Sequence, residues 1–170
     1  MSAFKSLLEE TLEAWEDTRL GIVDEVENIP EDQFDFKPAD EVRSVREQVL
    51  HILEVAMMMT GELTRDDTDF KRAPWPKLLK MYAEEAYQAK TKAELVELLK
   101  SQLESAIKQF KEVGELHMLQ FIERFDGSPG TRLAWLEHGI AQEMYHRGQL
   151  TVYERLMGIE PALTKKIKGG

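Results

Sequence analysis

The sequence contains no cysteine in its 170 residues. That excludes a disulfide framework, thiolate metal ligands and a cysteine nucleophile, and it is compatible with a reducing, cytoplasmic setting. Long apolar runs are also missing: nothing approaches the ~20 consecutive apolar residues of a membrane span, so no membrane partner is expected. Basic charge is scarce. Lys and Arg number 22 against 32 Asp and Glu, for a formal net charge of −10. Such a chain does not gather phosphates over a broad basic surface, so nucleic acid is not an expected partner. There is no internal repeat and no low-complexity tract. The first residues run straight into an acidic amphipathic stretch, so no signal peptide is expected.

What remains is an ordinary globular composition, 42% hydrophobic and 32% charged. The length suits a single domain over residues 1–170 with a sizeable core. Its periodicity is helical. Phe4, Leu8, Leu12, Trp15, Val23 and Val26 recur at three- and four-residue spacings over residues 3–28, and Pro30-Glu31-Asp32 is placed to open a single turn. Ser44-Val45-Arg46-Glu47 is a capping box that starts a second helix running to about Thr64. That helix is apolar on most faces, which predicts burial among neighbours, and His51 and Glu54 are its interior polar exceptions. Met57-Met58-Met59 reads as adaptable core packing.

Residues 65–75 read as a polar loop, with a short helix after Pro76. Thr91-Lys92-Ala93-Glu94 is a second capping box, opening a long helix that ends near Gly114. Residues 115–130 are expected to bridge, through the turn Gly127-Ser128-Pro129-Gly130, to a helix capped by Thr131. That last helix runs to about Met157 and is stopped by Gly158. Lys165, Lys166 and Lys168 are expected to form a frayed, solvated end. Four long helices with one long crossing connection make an all-α four-helix bundle.

The last helix is the informative one. At about 100° per residue, His138, Gln142 and His146 project from one side, a turn apart. Glu143 and Arg147 fall near the line of Leu136, Ile140 and Leu150, where burying polar groups costs several kcal/mol unless each finds a partner. His146 and Gln142 have the spacing that brings two donors to one point, and His51 is the sole histidine of the second helix. Imidazoles suit zinc, nickel, copper or iron, whereas an amide oxygen is a weak ligand favouring harder ions. The alternative is that each histidine is simply hydrogen-bonded in or near the core. Glu143 and Arg147 are open to two readings, an intrahelical ion pair or groups serving a site. His138 reads as a third nitrogen ligand or, preferably, a rim residue, and His117 has no patterned partner.

Tyr145-His146-Arg147-Gly148-Gln149-Leu150 resembles the His-His-Arg-Gly-Gln signature of the DinB superfamily, with tyrosine at its first position. Ser44 to His51 resembles that family's capped helix leading to its first metal-binding histidine, and Met157-Gly158-Ile159-Glu160-Pro161 resembles its usual ending. The resemblance implies an up-down-down-up four-helix bundle, commonly a homodimer, with a divalent metal held by three histidines. His51 matches the first ligand and His146 the last. Gln142 stands at the middle position, where the family usually has histidine, which implies weaker retention of zinc, nickel, manganese or iron. A metal-dependent transferase using a low-molecular-weight thiol, or a hydrolase, is therefore expected to act on a small-molecule substrate. In that frame Glu143 handles protons, Arg147 orients an anionic substrate group or Glu143 itself, and Gly148 permits close helix approach. The alternative is a non-catalytic ligand-binding or stress-response protein that keeps the scaffold with a degenerate site.

Overall fold

Helix caps set the phase of nearly every long element. A computed structural model describes residues 6–169; Phe4, assigned above to the first helix, lies outside the described residues. Helix α1 (Leu7–Asn28) starts at Ser6, whose hydroxyl accepts from the Glu9 amide at 3.2 Å. A single 3-10 turn, Glu31–Gln33, follows Pro30. Helix α2 (Val45–Leu63) opens on the Ser44–Glu47 capping box and is followed by the short helices α3 (Trp75–Tyr82) and α4 (Glu84–Gln88). Helix α5 (Lys92–Met118) opens on the Thr91–Glu94 capping box. A small hairpin, β1 (Phe121–Glu123) with β2 (Pro129–Thr131), leads into α6 (Arg132–Leu156), which Thr131 caps through the Ala134 amide at 3.0 Å. A last helix, α7 (Ala162–Gly169), closes the chain of elements.

The bundle consists of α1, α2, α5 and α6. Each of α1 and α2 packs against both α5 and α6, which puts α1 and α2 at opposite corners. Leu8, Leu63, Phe110 and Leu133 share one end of the core, whereas Ile22, Val45, Leu95 and Leu150 share the other. Helices α1 and α6 therefore run one way and α2 and α5 the other, an up-down-down-up bundle. Among the described residues no helix is long and apolar enough to cross a membrane.

A polar layer divides the two apolar clusters. Arg19, fully buried on α1, donates from Nε to Glu143 Oε2 at 2.8 Å, and Trp15 Nε1 donates to Glu143 Oε1 at 2.8 Å. The other side of the Arg19 guanidinium donates to Gln102 Oε1 at 2.8 Å and to the Leu99 carbonyl at 3.0 Å. One guanidinium thus ties α1 to both of its neighbours. The intrahelical Glu143–Arg147 pair does not form, because Arg19 saturates that carboxylate and Arg147 turns toward Glu25, 3.7 Å away.

The long helix breaks at Gly114, as expected: its φ of +79° is non-helical, and one separate turn continues to Met118. Two expectations need correction. The bridge after that turn contains the β1–β2 hairpin, whose three-residue strands are too short for alternation to register in sequence. The lysine-rich end is not frayed. The buried Glu25 carboxylate accepts the Ala162 amide at 2.6 Å and the Leu163 amide at 3.3 Å, a negative charge at the N-terminus of α7, and Lys165 Nζ reaches Asn28 Oδ1 at 2.6 Å.

Glu154 lies beside Glu25, fully buried, with Oε1 2.6 Å from Asn28 Nδ2. Burial, and then the Glu25 charge, push its carboxyl up to about 7. The folded chain therefore holds this proton more tightly than the unfolded chain. The stabilisation is complete below the ordinary carboxylate range and is lost as pH rises through about 7.

Two outcomes are expected. Arg19→Met should destabilise the fold by about 3–5 kcal/mol in urea, because it strands a buried carboxylate, and adding Glu143→Leu should restore most of the loss. Glu154→Gln, which mimics the protonated side chain, should leave the melting temperature nearly unchanged at pH 5. At pH 8 it should raise it by roughly 3–8 °C. Equal differences at the two pH values would show that Glu154 does not titrate in this window.

Candidate metal centre

The cap at Ser44 fixes the rotation of α2 so that Gln48 and His51, one turn apart, face α6. The antiparallel α6 brings Gln142 and His146 to the same level. The His51 and His146 rings have centroids 5.1 Å apart and planes at 86°. Gln142 Nε2 lies 3.3 Å from His51 Nε2. These three residues, expected from sequence to converge, are brought together.

The Nδ1 side of each ring is already engaged. His51 Nδ1 lies 3.2 Å from Glu54 Oε2, and the Tyr87 hydroxyl donates to the other Glu54 oxygen. His146 Nδ1 lies 2.8 Å from Gln149 Oε1 and 2.9 Å from Gln48 Nε2, which also donates to Gln149 Oε1. A carboxylate oxygen only accepts, so the Glu54 contact selects the His51 tautomer with its proton on Nδ1 and a lone pair on Nε2. At His146 the Gln149 oxygen takes a proton from Nδ1 whereas the Gln48 amide offers one to it, so these two contacts favour opposite tautomers. His146 is 4% exposed and its Nε2 is buried with no hydrogen-bond partner. A buried nitrogen left so costs about 1–3 kcal/mol, which asks for an explanation.

A divalent ion fits that requirement. Two imidazoles binding one ion through Nε2 at about 2.0–2.1 Å in tetrahedral geometry place their ring centroids about 5 Å apart, the separation found here. Outer partners on Nδ1 are also what metal-binding histidines normally have. Among the described residues no three His, Cys, Asp or Glu side chains gather to hold a metal, so Gln142 is the third donor within reach.

The electrostatics agree with ligand-ready rings. Burial pulls the His146 pKa down, with the Gln149 contact opposing and the His51 and Arg43 charges adding, so this imidazole is neutral around pH 7. Glu54 is held below the usual carboxylate range, chiefly by its bond to His51 and then by that from Tyr87. Burial, then Glu54, push the Tyr87 hydroxyl up to about 12, which keeps it a donor. A cavity of about 690 Å³ opens beside His51, with Glu54, Gln48, Gln149, Arg43 and Tyr153 also on its wall; His146 and Gln142 lie behind that wall.

The other expected site residues sit elsewhere. Glu143 is buried in the polar layer beneath Trp15 and Arg19. Arg147 lies across Gly21 on α1, beside Glu25, and is not on the cavity wall. His138 is exposed, stacks on Trp135 with centroids 5.2 Å apart and is not on the cavity wall. Gly148 is exposed and a Cβ there would meet nothing within 4 Å. It makes no close helix approach; Gly21, under the Arg147 guanidinium, does. Sequence reasoning missed Gln48, Tyr87 and Arg43 as parts of this site. Gln48 had a signal, a polar side chain one turn before His51 on a mostly apolar helix. Tyr87 comes from the irregular crossing segment and had none.

Comparison with known proteins gives the fold independent support. The DinB-like protein YjoA of Bacillus subtilis aligns over 88% of this chain and 92% of its own, at 23% identity and a TM-score of 0.64. YfiT of Bacillus subtilis, described as a probable metal-dependent hydrolase with an unusual four-helix bundle topology, aligns over 94% of this chain and 92% of its own. Its identity is 18% and its TM-score 0.70. No curated protein matches the sequence. The model of the DinB family matches residues 1–167, and the chain belongs to that family.

Proposed function

We propose that this protein is a divalent-metal enzyme of the DinB family, acting on a small molecule by hydrolysis or by transfer of a low-molecular-weight thiol. His51 and His146 hold the ion through Nε2, with Gln142 as a weak third donor. The carrying observation is the pair of imidazole rings with centroids 5.1 Å apart, the Nε2 of His146 being buried without a partner. The description of YfiT as a probable metal-dependent hydrolase supports the same reading for a protein of similar fold. When bound, a divalent ion supplies Lewis acidity, which makes a nucleophile of water or a thiol near neutral pH. Imidazoles favour zinc, nickel or iron, and the amide oxygen tilts the site toward a harder ion such as manganese.

The chain's own residues do the remaining work. Glu54, steadied by Tyr87, keeps the His51 proton on Nδ1, and the Gln149 oxygen accepts the Nδ1 proton of His146 when that ring offers Nε2 to the ion. Glu143 enters as a positioning residue: its bonds to Arg19 and Trp15 fix the rotation of α6, and with it the aim of Gln142 and His146. Arg147, one turn further on, holds the same side of α6 to α1 beside Glu25.

A second reading has one observation in its favour. The Gln142 amide meets His51 Nε2 at 3.3 Å, so the protein satisfies that nitrogen unaided, as a non-catalytic ligand-binding descendant of the scaffold would.

Purified without an affinity tag for metal, the protein should bind one divalent ion per chain by mass spectrometry. A His51→Ala, His146→Ala double variant should lose it. A wild-type protein whose metal content and melting temperature ignore zinc, nickel, manganese and iron would falsify the metal reading. Gln142→His should tighten zinc binding by about 10–100-fold or more. Tight zinc binding that leaves the wild type without hydrolase or thiol-transfer activity would favour the second reading.

A further inference from the structure

Gly148 has no use within its own chain. A glycine inside a helix costs about 1 kcal/mol relative to alanine, yet this one is exposed and a Cβ there would meet nothing within 4 Å. What surrounds it is apolar. Ala141, Tyr145, Gly148 and Val152 are all exposed, at spacings of four, three and four residues, the repeat of a helix that packs along another helix. Met144 and Leu156 flank the row, and Tyr145, Val152 and Leu156 are each more than half exposed. In a chain that is 32% charged, a continuous apolar row on the outside of a bundle marks a contact surface.

Charge decides what covers it. On α6, Arg132, Glu143 and Glu154 are buried and Arg147 turns to Glu25. The exposed charges are Glu137 at one end of the row and Arg155 at the other. Glu137 has no ion pair among the described residues, and Arg155 donates only to the Thr151 carbonyl of its own helix, at 2.9 Å. A face that is acidic at one end and basic at the other complements a reversed copy of itself. Pairing two α6 helices antiparallel, about a two-fold axis level with His146 and Arg147, sets Tyr145 against the partner's Gly148 and Ala141 against the partner's Val152. The same register brings Arg155 level with the partner's Glu137. A large side chain meets a glycine and a cation meets an anion, each twice by symmetry. Two chains of net charge −10 repel at long range, so local complementarity of this kind is what their contact requires.

We propose that the outer face of α6 is an interface with a second copy of this chain, the two helices packing antiparallel with Tyr145 of each over Gly148 of the other. The absence of a side chain at Gly148, unexplained inside one molecule, is what lets the backbones approach. The interface stands independently of the metal reading. It still bears on the site, because Tyr145 packs edge-on against His146, with centroids 5.2 Å apart and planes at 69°. Burying Tyr145 in the pair therefore steadies that side of the His146 ring.

Analytical ultracentrifugation of the full chain tests this. The wild type should sediment as a dimer, and Val152→Glu, a change at an exposed position, should weaken association about tenfold or more. Gly148→Ala distinguishes an interface from a change in helix stability, because its two effects have opposite signs. It should weaken the dimer about tenfold by crowding Tyr145. In the monomeric Val152→Glu protein it should instead raise the melting temperature by roughly 2–4 °C. Glu137→Arg and Arg155→Glu should each weaken the dimer, and the double variant should recover it. A wild type that stays monomeric overturns the proposal, whatever else the face binds, lipid vesicles included. So does a dimer whose dissociation constant ignores Val152→Glu and Gly148→Ala. Weakening by both without recovery in the charge-swapped double variant overturns the antiparallel register.

Discussion

The buried contact between Arg19 and Glu143 is the constraint on which the functional geometry depends. Glu143 follows Gln142 directly and lies three residues before His146, so whatever holds its side chain sets the rotation of α6 about its axis. A turn of α6 by one residue, about 100°, would carry His146 off the line to His51. The contact is placed to prevent this. Arg19 donates to two elements at once, to Glu143 on α6 and to Gln102 and Leu99 on α5, so α6 is indexed against half the bundle. Apolar packing alone would do this less well, because a stripe of leucines tolerates small rotations that hydrogen-bond directions do not. A pair of this kind adds little net stability compared with a hydrophobic replacement; its value here is geometric.

That pair also explains which parts of the molecule were legible in the sequence. Ser44, Thr91 and Thr131 fixed three helix starts, because a cap is a local bond written within four residues. His146 was legible as inward-facing, because it lies on the arc of Trp135 and Tyr153. The partners of Glu143 and Arg147 were not, since they come from α1, more than a hundred residues away. A signal for Arg19 existed: Trp15, Arg19, Ile22 and Val26 share one helical stripe, and a charge on an apolar stripe marks a buried pair. Glu25 lies between Ile22 and Ile29 in the same way. Neither position names its partner, however, and without one the nearest opposite charge, Arg147 for Glu143, is the natural but mistaken choice. The α7 helix was hidden for the same reason, because its N-terminus is held by Glu25 rather than by a residue of its own.

The two sides of α6 divide the labour. On the α1 side, Glu143, Arg147 and Glu154 meet Arg19, Glu25 and Asn28, and these contacts bury charge to hold the helix. On the α2 side, Gln142, His146 and Gln149 meet His51 and Gln48, and the contacts there are neutral. This separation matters for a metal site. An ion needs neutral imidazoles, and the charged groups that would compete for it or protonate its ligands are occupied on the opposite face. Among the described residues Glu54 is the one carboxylate bonded to either ring, and it engages Nδ1 of His51 rather than Nε2.

Glutamine at position 142 then acquires a definite physical meaning. A histidine there would offer either a ring lone pair or an N–H. The glutamine amide donates to His51 Nε2, which satisfies that nitrogen, whereas His146 Nε2 stays buried without a partner. On the proposed metal reading, an ion would first have to break the amide contact and turn the oxygen inward. That would cost affinity but not geometry, because both rings are oriented by their Nδ1 partners whatever stands at 142.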